Sequence, residues 1–233
     1  MRDDAPIAAE VLDFPVPFFL SNRSAGDMGP TSRPNHPERE ALLVTLGIRP
    51  ERLRMVRQIH SRIVRRAGPS VPVGDGLMTD DPRDVLGITV ADCMPICLYD
   101  RRRGVLALLH SGWRGTGIVR NALAAMSGVY GSKPQDVVAA LGPSIGPCCY
   151  RVDEARGELF SRRFGEASVV RRGDGPCLDL PAANRGLLER AGVPEIRNLH
   201  RCTVCDPSLG SFRREGPESF TRMLALATLG PRR

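Results

Sequence analysis

The feature that most constrains the fold is a set of aliphatic runs in the middle of the chain. GVLALLH (104–110) is a continuous apolar run bounded by Gly and His, the length of one buried strand. DVVAALGPSIGPCCY (136–150) begins as a second such strand and runs into a Gly/Pro-rich loop. DVLGITVADCMPICLYD (84–100) is β-rich with a break at Asp92-Cys93, and Pro95 marks that break. Aromatic residues are only 5%, so the core covering these strands is mainly aliphatic. A chain of 233 residues can bury one substantial core in two layers, which predicts a single domain over residues 1–233.

The flanking segments carry weaker signals. Residues 21–38 are dense in Gly, Pro, Ser and Asn and read as a loop. A helix is predicted over 38–47, ending at Gly47. In RMVRQIHSRIVR (54–65) we place a strand through Met55–Gln58 with His60 just beyond it. SGWRGT (111–116) is a tight turn whose Thr116 can cap a helix to about Met126. Asp153 can cap a helix to about Phe164, and residues 178–192 are helical after Pro181, ending at Gly192. EIRNLH (195–200) and MLALATL (223–229) read as strands. Strands and helices alternate only partly, so the residues predict an α/β (α+β) fold with a mixed sheet and flanking helices.

The net charge of +7 is almost all arginine, Lys133 being the only lysine. The arginines are spread along the chain, with short runs such as Arg101-Arg102-Arg103 and Arg162-Arg163, and no basic helix interleaved with aromatics occurs. Nucleic acid is therefore not the expected partner; a solvated surface with a few arginines kept for an anionic ligand is. No run approaches the ~18 apolar residues of a membrane span. MRDDAPIAAEVLDFPVPFFLS has early acids and prolines and does not read as a signal peptide. Seven cysteines, an odd number in a long aliphatic chain, argue against disulfide staples. The expectation is a cytoplasmic protein with free or metal-bound thiols.

Four strings place reactive side chains in turns at the ends of apolar strands: QIHS (58–61), ADC (91–93), LHSGWRGT (109–116) and LGPSIGPCCY (141–150). Within them His60, Cys93 and His110 form a zinc-type donor set, and three protein ligands leave a fourth position open. The alternative is a buried Cys93 behaving as a small hydrophobe beside two satisfied histidines. His200-Arg201-Cys202-Thr203-Val204-Cys205 contains HxC and CxxC, which suits half a zinc site or a redox pair. Without a second CxxC we read it as structural, and we read Cys148 and Cys149 as packing residues.

Taken in order, QIHS, DGLMTD, LGITVADCMPICLYD, LLHSGWRGT, ALGPSIGPCCYRV, LDLPAANRGLL, and CT followed by FRREG closely resemble one family. It is the family once named multicopper polyphenol oxidase (laccase) domain proteins and now usually called purine nucleoside phosphorylases. The resemblance covers roughly residues 50–225. It implies a four-layer α/β/β/α arrangement and a zinc site on His60, Cys93 and His110. It implies phosphorolysis of adenosine, inosine, guanosine and methylthioadenosine, with adenosine deamination also attributed to the family. Other activities connected with relatives are copper-dependent phenol oxidation and editing of peptidoglycan precursors. The N-terminal segment departs from the family pattern: Asn22-Arg23 stands for its first string, the second is shortened or absent, and Arg39 keeps an arginine of the family.

Phosphorolysis needs an anion site, and arginine is the natural bidentate partner of phosphate. Arg114, Arg39 and Arg213 are the candidate contacts, with Asp75 at the substrate or orienting an imidazole, and Asp92 as acid, base or turn cap. Purine nucleosides and phosphate are thus the expected partners, with zinc as cofactor and copper as its alternative. A monomer or small homo-oligomer is expected. Four histidines (His36, His60, His110, His200) are too few for multicopper clusters. A non-catalytic metal-binding protein would need a closed four-ligand site, and only three convincing ligands are legible.

Overall fold

The computed structural model describes residues 7–10, 14–30 and 36–230. In chain order the elements are β1 (Ile7–Glu10), β2 (Phe18–Ser21), α1 (Pro37–Thr45), β3 (Leu53–Met55), β4 (Val64–Arg66), β5 (Gly76–Thr79), β6 (Val85–Val90), β7 (Met94–Asp100) and β8 (Val105–Ser111). They continue with α2 (Ile118–Tyr130), β9 (Val137–Leu141), α3 (Glu154–Phe164), β10 (Val169–Arg172), β11 (Gly175–Leu178), α4 (Leu180–Arg190), β12 (Glu195–Asn198), α5 (Phe212–Glu215) and β13 (Met223–Thr228). One sheet has the order β1-β2-β13-β6-β3, a second the order β12-β9-β7-β8-β5-β4, and β10-β11 form a hairpin. Both large sheets are mixed: β3·β6, β4·β5 and β9·β12 are parallel, the other pairs antiparallel.

Alternation along the strands builds the layers. Side chains of a strand point alternately to opposite faces. Leu106 and Leu108 of β8 and Val138 and Ala140 of β9 meet Leu86 and Ile88 of β6 and Met223 and Ala225 of β13 in the space between the sheets. The residues between them, Val105, Ala107, Leu109, Val137, Ala139 and Leu141, face the other way and pack on α2, α3 and α4. On the far side of the first sheet Leu224 and Leu226 pack on Leu42 and Leu43 of α1. The order of layers is therefore α1, sheet, sheet, α2–α4, the α/β/β/α arrangement expected. Both faces of β8 and β9 are covered, which is why these strands read as unbroken apolar runs rather than alternating ones.

Local chemistry sets the ends of several elements. Gly47, at φ +66, closes α1 as a Schellman motif: its N–H donates to Val44 O, and the Ile48 N–H donates to Leu43 O. Asp153 accepts from Arg156 N at the start of α3, as the sequence predicted, and Asp179 does the same for Ala182 N in α4. Thr116 is not the cap of α2. Its hydroxyl donates back to Gly112 O at 2.8 Å, Gly117 at φ +104 makes the turn instead, and the helix continues past Met126 to Tyr130. Pro95 lies inside β7, opposite His110, and the break falls at residues 91–93.

The strand expected through Met55–Gln58 ends earlier, at Met55. The Gln58 carboxamide explains the difference. Its Nε2 donates to Thr89 O at 2.8 Å, and its Oε1 accepts from Thr89 N at 2.8 Å. A side chain thus takes the place of a backbone peptide on β6, and the main chain turns away toward His60. The Arg101-Arg102-Arg103 run is the turn between β7 and β8, where Asp100 Oδ1 accepts from Arg102 N and Arg103 N.

Candidate metal centre and its cleft

Three segments meet where the chain passes from one sheet to the other. Residues 91–93 link β6 of the first sheet to β7 of the second. His110 is near the end of β8, and His60 lies in the loop after β3. The donor atoms of His60, Cys93 and His110 all lie within 4.8 Å of one another. The two imidazoles are edge-on, with centroids 4.9 Å apart. His60 at φ +58 and Asp92 at φ +77 are non-glycine residues in left-handed conformations, a strained arrangement typical of functional turns. Gly112 is required here: a Cβ on it would sit 2.6 Å from Cys93 Sγ.

Asp75 holds the centre from behind. It is fully buried, and its carboxylate accepts from His60 N (2.9 Å), Ser61 N (2.6 Å), Ser61 Oγ (2.7 Å), Ile59 N (3.3 Å) and His110 Nδ1 (2.9 Å). Burial opposes its charge, yet the hydrogen bonds from His110 and Ser61 hold it well below the usual carboxylate range. A carboxylate only accepts, so His110 Nδ1 carries a proton, and Nε2 is the nitrogen that would bind a metal in exchange for its own proton. Burial also opposes a charge on Cys93, but His110 and His60 outweigh it and bring the thiol down to about 6. Burial lowers His110 in turn, and the Cys93 and Asp75 charges raise it to about 9. Two imidazoles and an easily ionised thiol, aligned by a buried carboxylate, fit a zinc-type ion with an open position.

A cleft of about 510 Å³ opens above these residues, within the ~300–1,000 Å³ usual for small-molecule sites. Ile145, Leu180, Phe212 and Phe220 make its apolar wall, and Phe212 and Phe220 pack edge-to-face at 5.0 Å. Arg156, Arg213 and Arg222 bring positive charge into it. Arg156 stacks on Trp113 with its guanidinium carbon 4.7 Å from the ring centroid. Burial, followed by the Cys93 charge, pushes the Tyr150 phenol up to about 12, so it keeps its proton.

The residues picked from the sequence fall in different places. His60, Cys93, His110 and Arg213 line the cleft. Arg114 is exposed, stacks at 5.2 Å from the Trp113 centroid, and is not among the described residues lining the cleft. Arg39 braces the N-terminal segment, donating to Met28 O at 2.8 Å, one step removed from Pro30 at the cleft rim. Asp75 is buried behind His60 and His110 rather than at the cleft surface. Asp92 also lines the cleft, and its carboxylate accepts from Thr203 Oγ1 at 2.6 Å and from Arg213 N at 2.7 Å. It is a tie between the crossing turn and α5. Thr31–Asn35 of the altered N-terminal segment lie outside the described residues. Sequence reasoning missed Gln58, Tyr150 and Arg156 as cleft residues. Arg156 belongs to α3 and carries no motif, so only the Asp153 cap three residues earlier hinted at its orientation.

The cysteines also depart from expectation. Cys148 is exposed, so it is not a packing residue, and Cys148-Cys149 lies against the Cys202–Cys205 pair with all four sulfurs within 4.8 Å. The CxxC pair thus meets a vicinal pair 53 residues before it in the chain (202 − 149).

A four-layer α/β/β/α sandwich with a His-Cys-His donor set at the crossing between its sheets is the class these observations define. A family model described as multi-copper polyphenol oxidoreductase laccase matches residues 31–230. The chain belongs to this family, as the motifs indicated. Purine nucleoside phosphorylase YlmD of Geobacillus stearothermophilus is 37% identical over 67% of this chain and 60% of its own length. The chain thus spans under two thirds of that relative. A purine nucleoside phosphorylase of Deinococcus radiodurans is 33% identical over 94% of this chain and 90% of its own. The crystal structure of YlmD from Geobacillus stearothermophilus matches with a TM-score of 0.83 at 29% identity, covering 91% of each chain.

Proposed function

We propose that this chain is a zinc-dependent purine nucleoside phosphorylase acting on adenosine, inosine, guanosine and methylthioadenosine, with deamination of adenosine at the same centre. The observation that carries the reading is the His60–Cys93–His110 donor set opening into a cleft with an apolar wall and three arginines. The names of the relatives point the same way. Zinc held by these three residues would supply a Lewis-acid charge at the cleft floor.

The chain's own residues supply the rest. Phe212, Phe220, Ile145 and Leu180 form an apolar slot for the purine. Tyr150 keeps its proton and can donate to the base as the N-glycosidic electron pair moves onto it. Arg156, oriented by Trp113, and Arg213 neutralise phosphate, whose oxygen bonds to the sugar C1′ as the base leaves. His60, Cys93 and His110 would hold the ion, and Asp75 keeps the His110 ring oriented. Cys148 and Cys205 are exposed and outside any disulfide, which suits a reducing compartment, so we place the protein in the cytoplasm. Among the described residues no helix is long and apolar enough to cross a membrane.

The test is release of free base from inosine or adenosine with and without phosphate. Base release that depends on phosphate in the wild type and disappears in Cys93→Ala supports the reading; base release indifferent to both contradicts it. Arg156→Ala should raise KM for phosphate about tenfold to a hundredfold, as expected for a lost charged hydrogen bond, with KM for inosine little changed.

A further inference from the structure

We propose that Cys148, Cys149, Cys202 and Cys205 form a second metal site, a closed tetrathiolate centre for one zinc-type divalent ion. It is separate from His60–Cys93–His110 and does not depend on the activity proposed above. Cys205 Sγ lies 3.6 Å from Cys148 Sγ and 3.5 Å from Cys149 Sγ, and the four sulfurs fall within 4.8 Å of one another. Four thiolates each ~2.3 Å from a single zinc would lie about 3.8 Å apart, so the cage is already near its metal-bound size. Four sulfurs at this separation enclose one ion and leave no room for an iron–sulfur cluster.

Exposure argues against the bland explanation. Thiols kept for packing are buried, as Cys97 and Cys177 are, whereas Cys148 and Cys205 are exposed. An exposed pair of free thiols is a liability, and metal binding removes it. The backbone around the cage is also arranged for thiolates. Cys202 Sγ accepts from Gly146 N at 3.3 Å. An amide aimed at the first sulfur of a CxxC turn offsets its negative charge.

Both halves of the cage are held in place before any ion arrives. The turn carrying Cys148 and Cys149 is closed by Cys149 N and Tyr150 N donating to Gly146 O. The 202–206 turn is closed by Asp206 N donating to Cys202 O, and Arg214 Nη1 donates to the carbonyls of Thr203, Val204 and Asp206. The two are stitched together by Ser144 N donating to Arg201 O and Thr203 N donating to Ser144 O. The role that follows is structural. One turn carries Ile145 and Tyr150 of the cleft wall, the other carries Thr203, whose hydroxyl fixes Asp92 beside Cys93. An ion clamping the turns together would fix the cleft wall relative to the metal centre.

Zinc analysis of the full chain purified without an affinity tag tests this. The wild type should carry about two zinc ions per chain, and Cys93→Ala and the double variant Cys202→Ser/Cys205→Ser about one each. Alkylation of the wild type gives a second readout that requires no variant to fold. Cys148 and Cys205, despite their exposure, should resist iodoacetamide until a chelator is added. One zinc lost in Cys93→Ala and retained in the double variant overturns the proposal, as does prompt alkylation of Cys148 and Cys205 that chelator leaves unchanged. One zinc lost in the double variant and retained in Cys93→Ala upholds it while contradicting the metal centre of the proposed phosphorylase.

Discussion

At the scale of single residues, Asp75 ties together the segments that carry His60 and His110. One buried carboxylate shapes the loop from Ile59 to Ser61 and orients the ring of His110. Asp75→Asn keeps the shape but turns one acceptor edge into a donor facing other donors. It should cost about 1–3 kcal/mol of stability and about 10–100-fold in zinc affinity, measured by urea unfolding and chelator competition. The pH dependence has a definite sign. The Asp75 pKa is depressed on folding, so its contribution is present above the unfolded value near ~3.9 and declines as pH falls below it. Acid unfolding of the metal-free protein should therefore be shallower in Asp75→Asn. Cys93, at about 6, should alkylate in metal-free protein with a midpoint far below that of an ordinary thiol. A midpoint near ~8.5 would contradict the thiolate account.

At the scale of elements, the legible parts were those with a local cause. Continuous aliphatic runs gave β8 and β9, Asp153 gave the start of α3, and Gly47 gave the end of α1. What stayed hidden depends on contacts made far along the chain. Gln58 ends β3 because its partner is Thr89, and nothing in residues 54–65 announces that. Thr116 looks like a cap until the Gly112 carbonyl is placed beside it. Gln58→Ala should leave Thr89 N and Thr89 O unpaired in a half-buried place, costing about 1–3 kcal/mol and loosening the His60 loop. Urea unfolding and zinc affinity measured together would show both effects; an unchanged zinc affinity would mean that the loop is held by Asp75 alone. Gly112→Ala should displace the Cys93 sulfur and reduce zinc binding in a protein that still folds.

At the scale of the whole molecule, the donors come from both sheets. His60 follows β3 of the first, His110 ends β8 of the second, and Cys93 lies on the crossing between them. The inter-sheet core is therefore part of the site's geometry. Leu108 is fully buried in that core, and Leu108→Ala should cost about 2–5 kcal/mol, read from urea unfolding. The His60–Cys93–His110 donor set was legible because each residue sits in a distinctive string. The cleft was not, because Arg156, Tyr150 and Phe220 converge only once four layers are stacked.

The most direct test is zinc reconstitution of the chelator-stripped protein, followed by phosphorolysis of inosine. Activity should return in proportion to zinc bound in the wild type and stay absent in Cys93→Ala at the same zinc concentration. Full activity in stripped protein, or equal recovery in Cys93→Ala, would contradict a catalytic metal at His60, Cys93 and His110.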